Sequence, residues 1–345
     1  MRWPARLEQT FGLACMLLAL AAGEAVAQGD CATVRKINIG VAVAPPNVVH
    51  TTPYIAKDLG YFARHCIDAT IIQFDGGESP AAKAAAAQGT ALVAVSAIAV
   101  GHGVKVRQIW GLAPRLPQAY VVSDSVKTAA DLKGKRLSAA GGGVGSFNWL
   151  MGREVLKSAG LTVDDAQFIS AATAARLPGL VAAQIDAVAL HPEDVYLAQK
   201  HKPGLHALVH LSDLLPKYMF NAYGAAADWI GRDHALIVDT IAAMIEANRE
   251  IYRDEAKVVP IMMEATGKPK EAVEYAWSIE TEHCIWSVNE GFSPERTQWT
   301  IDNDVANGYI DPAKKPTVDQ VVDMNVATEA VAAAGGRTTI GKCTE

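Results

Sequence analysis

The fold is decided by the stretch INIGVAV (residues 37–43), followed by PYIAKDLGYF (53–62) and DATIIQF (68–74). The first and third segments are rich in β-branched residues, which predicts buried strands. The middle segment predicts a helix that ends at Gly60. A strand, a helix and a second strand of these lengths predict a parallel sheet that helices cover on both faces.

The same alternation continues along the chain and restarts near Thr128. The first unit is predicted to add a helix at 81–88 and strands at 91–96, 106–112 and 119–122. The second unit is predicted to have strands at 135–139, 166–170, 187–190 and 207–210, and helices at 146–158 and 178–184. After Trp229 the chain is predicted to be helical, at 234–253, 257–265, 269–278, 294–306 and 318–333.

Two α/β units with a helical tail predict two doubly wound lobes joined by a two-strand hinge. Lobe 1 is predicted to hold residues 28–124 plus 223–345, and lobe 2 residues 125–222. The chain would then cross between the lobes near Ser123-Asp124 and near Ala222-Tyr223. Lobes connected in this way can close around a ligand as rigid bodies.

The N-terminus has the three parts of a secretory signal. Positive charge at Arg2 and Arg6 precedes an uncharged apolar run at 11–23, and Ala25-Val-Ala27 offers a cleavage pattern of small residues. The run is shorter than the roughly 20 residues that a membrane-spanning helix needs. We expect residues 1–27 to be a signal peptide and the chain to be exported to the periplasm; an uncleaved anchor is the alternative.

The formal net charge is −6, and no run of Lys and Arg occurs. This balance argues against nucleic acid and against an anionic membrane surface as partners. We expect a soluble monomer.

Four cysteines follow the predicted signal peptide, an even number that suggests disulfides in an oxidising compartment. Cys31 and Cys66 precede the first two predicted strands, whose starting ends are neighbours in a parallel sheet. We therefore predict a Cys31–Cys66 disulfide, which leaves Cys284 to pair with Cys343. Four free thiols remain the alternative, and no metal-ligand spacing is present.

An ordered set of motifs resembles the periplasmic nitrate/sulfonate/taurine-type substrate-binding proteins, a family that includes binders of thiamine pyrimidine precursors. The resemblance covers roughly residues 37 to 200. Its motifs are Thr52–Phe62, Ala82–Gly89, Asp131–Arg136, Val144–Ser146 and Leu180–Ala187.

The resemblance implies a type II periplasmic-binding-protein fold, an ABC importer permease as partner, and no catalysis. The chain departs from the family pattern at Gly89–Leu92, at Gln184 and at His191–Asp194. These departures concern the ligand class more than the fold.

Ligands of open α/β sheets bind beyond the carboxyl ends of the strands. Asn47 and His50 follow the first predicted strand and offer hydrogen bonds; the alternative for His50 is a surface loop. Ser96 follows the strand at 91–96, where its hydroxyl either faces the ligand or caps the next helix.

A glycine-rich turn at Gly141–Gly145 leads into the predicted helix at 146–158. The backbone N–H groups of Gly143, Gly145 and Ser146 at a helix start suit a carboxylate, sulfonate or phosphate oxygen, and Phe147 can stack on an apolar ligand body. The alternative is a turn needed only for backbone geometry. The stretch is neither a dinucleotide fingerprint nor a P-loop.

His191 and Glu193 follow the strand at 187–190, where they either contact ligand or, with Pro192, begin a helix. Tyr223 is predicted to close over a ligand, and Arg115 is the nearest guanidinium for an anion, or a surface charge.

No catalytic, cofactor or metal motif was found. The first hypothesis is therefore a binding protein for a small organic anion: a sulfonate, a carboxylate or an aromatic acid. The alternatives are a binder of a pyrimidine-like heteroaromatic, or a fold-related enzyme acting on a sulfur or pyrimidine compound. A buried free Cys66 beside a base would favour the enzyme.

Overall fold

The computed structural model of the protein describes residues 31–77 and 79–345. The predicted signal peptide lies outside these described residues. Within them, no helix combines the length and the apolar character needed to cross a membrane.

The secondary structure follows the predicted alternation of strands and helices. The strands are β1 (Arg35–Val41), β2 (Ile67–Gln73), β3 (Val93–Ala94), β4 (Val106–Ala113), β5 (Ala119–Val122), β6 (Arg136–Ser138), β7 (Gln167–Ile169), β8 (Ala187–Leu190), β9 (His206–His210) and β10 (Asn221–Ala226). The helices are α1 (Thr52–Asp58), α2 (Tyr61–Arg64), α3 (Pro80–Ala87), α4 (Ala97–Gly101), α5 (Phe147–Ser158), α6 (Arg176–Val181), α7 (Pro192–His201), α8 (Leu211–Leu214), α9 (Ala227–Arg232), α10 (His234–Arg253), α11 (Glu255–Thr266), α12 (Lys270–Glu282), α13 (Pro294–Ala306), α14 (Val318–Val321) and α15 (Met324–Ala333).

Five strands form what we call the first sheet, in the order β2-β1-β3-β10-β4. β1 and β2 pair in parallel, and β10 pairs antiparallel with β3 and β4. Backbone bonds from Gly40 N to Leu92 O (2.6 Å) and from Leu92 N to Asn38 O (3.0 Å) connect β1 to the segment that enters β3. These bonds join the β1-β2 pair and the β3-β10-β4 group into one sheet.

The second sheet has the order β7-β6-β8-β5-β9. β6 is parallel to β7 and β8, whereas β5 is antiparallel to both β8 and β9. The strands are therefore mostly parallel, as predicted, with one antiparallel member in each sheet. Each of those members is the strand by which the chain enters the sheet from the other half.

The positions of β5 and β10 correct the predicted chain crossings. β5 was placed in the first lobe, but it pairs with β8 and β9, so the first crossing lies between Ala113 and Ala119 instead of at Ser123-Asp124. The segment of β10 was not predicted as a strand. Its alanines and glycine carry little β propensity, and pairing with β3 and β4 compensates for this.

The apolar cores lie on both faces of the sheets. In β5, Tyr120 and Val122 belong to one cluster, while Ala119 and Val121 belong to another on the opposite face. This alternation is the period-two pattern of a strand buried on both sides. The helical C-terminal region, with α10, α11, α12 and α15, packs against the first sheet in the largest cluster.

One predicted helix ends where expected and another is divided. The helix predicted to end at Gly60 is α1, and α2 follows it because Gly60 takes a left-handed conformation, with φ of 73°. The segment at 318–333 divides into α14 and α15 because Val322 is extended and Asp323 N donates to Gln108 O in β4 (2.8 Å).

The predicted disulfides are confirmed. Cys31 is bonded to Cys66, and Cys284 is bonded to Cys343. The first connects the ends at which β1 and β2 begin, and the second ties the C-terminal segment to the end of α12. No cysteine of the described chain is left as a free thiol.

Candidate functional site

A cleft that is partly open to solvent lies between the two sheets. It is lined by residues that follow β1, β3, β6 and β8, such as Val43, Ser96, Gly141 and His191. Residues at or before the starts of β5 and β10 also line it, because those two strands run antiparallel to their neighbours. The cleft therefore lies beyond the carboxyl ends of the parallel strands, as expected for an open α/β sheet.

One wall of the cleft is aromatic. The Phe220 ring lies between three others, with centroid distances of 5.4 Å to Phe147, 6.1 Å to His50 and 6.0 Å to His191. Rings at these separations and tilts are in contact with one another. They provide an aromatic surface, made of rings tilted by 54° to 60°, against which a ring or a hydrocarbon body can pack.

Arg176, the first residue of α6, brings a positive charge to the cleft. The residue is only 6% exposed. Its Nε donates to Thr173 O (3.1 Å) and its Nη2 to Asn47 Oδ1 (2.9 Å). Burial lowers the pKa of the guanidinium, and Asp194 and Glu193 act against that shift. Arginine stays protonated in proteins, so the charge is retained.

The start of α5 also faces the cleft, through Phe147 and Asn148. Ser146 is the N-cap, and its Oγ accepts from Trp149 N (3.4 Å). The amides of the first helical residues have no partner within a helix, and the helix dipole makes this end favourable for an anion.

The two histidines of the cleft are uncharged at neutral pH. Burial, with a smaller contribution from Arg176, lowers the pKa of His50 to about 3. Burial and the nearby charges of His50, Arg176 and Lys268 hold the pKa of His191 well below its usual value. The Gln118 side-chain amide is hydrogen-bonded to His191 Nε2 (3.0 Å).

Several buried polar atoms at the cleft have no hydrogen-bond partner among the described residues. They are His50 Nδ1, Gln118 Oε1, Asn148 Oδ1, Thr173 Oγ1 and Asn221 Oδ1. A buried polar atom without a partner costs free energy. A polar ligand or bound water that reaches these atoms removes that cost.

Four of the nine residues predicted to bind ligand line this cleft: His50, Ser96, Phe147 and His191. Ser96 also caps α4, because its Oγ accepts from Ala99 N (3.3 Å). Ser96 therefore both lines the cleft and caps a helix, the two roles that the sequence left open.

The other five predicted residues are not among those that line the cleft. Asn47 is buried outside the cleft lining, and its Nδ2 donates to Glu193 Oε1 (2.6 Å). Gly143 and Gly145 shape the turn before α5 with φ of 74° and 85°, and Ser146 is a helix cap. The buried Tyr223 stacks on Trp110 at 6.3 Å, because it lies inside β10 and not in a hinge.

For Arg115 and Glu193 the structure distinguishes between the two interpretations that the sequence left open. Arg115 lies away from the cleft, where its side chain pairs with Glu345 (3.1 Å). Glu193 does not line the cleft, since its Oε1 accepts from Asn47 Nδ2 and from Val48 N (3.1 Å). Both acids after Pro192 occupy the first turn of α7, as the helix-start interpretation predicts.

No sequence pattern pointed to Arg176, Phe220 or Gln118 as site residues. Arg176 follows a short 3-10 helix (Thr173–Ala175) that comes after β7, and Phe220 and Gln118 each precede an antiparallel strand. A search limited to the residues that follow strands misses residues that precede a strand running in the opposite direction. Recognition of β10 as a strand would have directed attention to Phe220.

Several contacts connect the two sides of the cleft. Asp75 after β2 accepts from Thr173 N (2.9 Å), and Asp194 in α7 forms a salt bridge with Lys268 after α11. At Gly76, with φ of 97°, a Cβ would lie 2.7 Å from Gly141 O. Only glycine allows the two backbones to approach this closely.

Replacing Ser146 with alanine is expected to lower the free energy of unfolding by about 1 kcal/mol, the usual value of a lost N-cap. Since Ser146 does not line the cleft, ligand affinity should change less than about threefold. Urea unfolding and ligand titration test this, with Ser158→Ala at the other end of α5 as the control. Lost affinity at unchanged stability would instead place Ser146 in the site.

Comparison with known proteins gives a family for this sequence. Residues 47–257 match the family described as NMT1/THI5 like. No curated protein matches the chain in sequence.

Solved structures resemble the fold over most of the chain. The alkanesulfonate-binding protein SsuA from Xanthomonas axonopodis pv. citri, bound to MOPS, has 19% identity and a TM-score of 0.67, over 84% of this chain and 99% of that one. The periplasmic nitrate-binding protein NrtA from Synechocystis PCC 6803 has 13% identity and a TM-score of 0.66, over 87% and 89%.

A third similar structure is an enzyme. The desulfurization enzyme DSZB, in complex with biphenyl-2-sulfinic acid, has 14% identity and a TM-score of 0.59, over 87% of this chain and 100% of that one. Likeness at these identities confirms the predicted type II periplasmic-binding-protein fold. Proteins with this fold include both binding proteins and an enzyme. The function therefore has to be inferred from the chemistry of the site itself.

Proposed function

The chain belongs to the NMT1/THI5-like family, and from that premise we propose that it is a solute-binding protein that holds a small organic anion in the cleft. One observation carries this proposal. The buried Arg176 and the start of α5 line the same cleft as the aromatic wall around Phe220.

The ligand's charged end belongs at Arg176 and at the first amides of α5. A guanidinium in a site shielded from water binds a carboxylate or sulfonate more strongly than it would in water. The ligand's apolar body packs on Phe147 and Phe220, which lie 5.4 Å apart. Sulfonates, carboxylates and aromatic acids all have this division into a charged head and an apolar body.

The proposed hinge consists of the two segments that connect the lobes, residues 114–118 and 211–220. The lobe built on the first sheet and the lobe built on the second would close on the ligand by rotation about these segments. The contacts of Asp75 with Thr173 N and of Asp194 with Lys268 hold the closed arrangement.

The binding proteins that resemble this chain are named periplasmic or belong to import systems. By analogy, the chain is exported to the periplasm as a monomer and delivers its ligand to the membrane permease of an ABC importer. The pattern of residues 1–27 and the two disulfides support an oxidising compartment.

Two observations favour binding of an anion over the alternatives. Cys66, the thiol that would have supported a fold-related enzyme, is bonded to Cys31. Glu193, the acid that would have favoured a pyrimidine-like heteroaromatic, accepts from Asn47 and Val48 instead of facing the cleft.

A thermal-shift screen of the chain without residues 1–27 tests the proposal. Each aromatic or aliphatic sulfonate and carboxylate is compared with its neutral amide, and pyrimidines are included. Tight ligands raise the melting temperature by mass action, so we expect the acids to raise it and their amides not to. A shift with amides or pyrimidines alone, or turnover of a sulfinate, would contradict the proposal.

A further inference from the structure

Three buried side chains come together beside the cleft. His191 and Glu193 lie at the start of α7, and Glu280 lies near the end of α12. His191 is 2% exposed, and the two carboxyl groups are 0% exposed. One ligand atom from each residue lies within 4.8 Å of the other two.

Much of this cluster has no hydrogen-bond partner within the described chain. The atoms concerned are His191 Nδ1, Glu193 Oε2 and both oxygens of Glu280. Lys268, the nearby cation, is bonded to Asp194. A buried carboxylate without a partner is costly, so this arrangement requires either a cation or bound protons.

The donor set suits a divalent transition metal. One imidazole nitrogen and two carboxylates are ligands of zinc, at about 2.0 to 2.2 Å from the ion, and a dication neutralises both carboxylates. Calcium and magnesium prefer an all-oxygen shell, so the histidine selects against them. Separations below 4.8 Å allow three ligands to reach one ion after small side-chain movements.

Hydrogen bonds with neighbouring residues orient two of the three proposed ligands. The Gln118 side-chain amide lies 3.0 Å from His191 Nε2, and with its oxygen turned to that nitrogen it accepts from Nε2–H, so that Nδ1 carries the lone pair a metal requires. Asn47 Nδ2 and Val48 N are bonded to Glu193 Oε1, which leaves Oε2 for the cluster. Such outer contacts are characteristic of built metal sites.

We propose that His191, Glu193 and Glu280 bind one zinc-class divalent cation. The ion bridges α7, which packs beside the second sheet, to α12, which packs in the core of the first. It therefore fixes the two sides of the cleft relative to each other. It also fixes the ring of His191, one of the residues that line the cleft.

The competing account is a pair of carboxyl groups that retain protons. Burial raises the pKa of Glu193 and of Glu280 above their usual values, with a further contribution from Asp194 on Glu193 and from Glu193 on Glu280, and protonation would then remove the need for a cation. The two accounts differ in whether Zn²⁺ binds with defined stoichiometry at neutral pH.

The test uses the untagged chain without residues 1–27, dialysed against a chelator and titrated with Zn²⁺ by calorimetry. We expect one tightly bound ion per chain, a rise in melting temperature with Zn²⁺, and no comparable binding of Ca²⁺ or Mg²⁺. Absence of a stoichiometric Zn²⁺ site would overturn the proposal in favour of bound protons.

Variants locate the ion. Glu280→Gln should weaken Zn²⁺ binding at least 100-fold while the metal-free variant stays folded, because a neutral amide replaces a buried carboxylate. The matched control, Glu282→Gln, changes an exposed acid two residues further along α12 and should bind as the parent does. Should Glu280→Gln fail to fold, Glu193→Gln serves in its place. Unchanged affinity in the folded variant would refute the assignment.

Discussion

Replacing Arg176 with glutamine is expected to weaken the binding of an organic anion by at least about 100-fold, which corresponds to about 3 kcal/mol. Truncation of one partner of a buried charge pair typically costs 2 to 5 kcal/mol. Arg176 lines the cleft and is buried, so water cannot replace its charge. Calorimetric titration with an acid identified in the thermal-shift screen measures the loss directly.

Arg176 also supports the structure, since it bonds Thr173 O and Asn47 Oδ1. Arg176→Lys is therefore the second variant, because it keeps the charge but loses the planar fork of donors. We expect Arg176→Lys to fold and to bind about tenfold more weakly than the parent. Arg232→Gln, which removes an exposed arginine in α9, is the control for net charge and should bind normally. Parent-like affinity in folded Arg176→Gln would remove this residue from the site.

The free energy of unfolding is expected to fall steeply in acid because of His50. Its pKa is about 3 in the folded protein and about 6.5 in the unfolded chain. Above pH 6.5 the residue is neutral in both states and has no effect. Below pH 6.5 the unfolded chain binds the proton and the folded protein does not, so the loss grows until the pH reaches about 3. At about 1.4 kcal/mol per pH unit, the loss is about 2 kcal/mol by pH 5 and about 4 to 5 kcal/mol by pH 3.

Urea unfolding of the ligand-free protein at pH 7.5 and pH 5 tests this expectation. Carboxyl groups also titrate in this range, so the informative quantity is the difference between the parent and His50→Gln. The variant should lose about 2 kcal/mol less than the parent between the two pH values. His201→Gln, at an exposed position in α7, is the control. Equal losses in the parent and His50→Gln would show that His50 is protonated in the folded protein.

Local sequence patterns were sufficient for most of the fold. The strands β1, β2, β4, β5 and β8 have β-branched or apolar runs, and helices such as α3 have an N-cap serine and a proline in the first turn. The Cys31–Cys66 bond followed from parallel strand order alone, because the starts of β1 and β2 are adjacent.

The missed features depend on long-range pairing. β10, with the sequence Asn221-Ala-Tyr-Gly-Ala-Ala226, becomes a strand because β3 and β4 provide its partners. β5 was assigned to the wrong sheet because its own residues suit either sheet equally well. The wrong sheet for β5 displaced the first predicted crossing, and the unrecognised β10 placed Tyr223 at the second.

The site was predicted in part. Loops after parallel strands gave His50, Ser96, Phe147 and His191. Arg176 was missed because nothing in the local sequence distinguishes a buried arginine from a surface one. Glu280 was missed because it lies far along the chain from His191 and Glu193, and only the packing of α12 on α7 brings them together.

The most direct test is a crystal structure of the chain with an organic acid that stabilises it in the screen. The account predicts that the acid head lies within hydrogen-bond distance of Arg176 or of the Phe147 and Asn148 amides, with its body against Phe220. A ligand bound on an outer surface, or one with its charged group turned away from Arg176 and from the start of α5, would contradict the account.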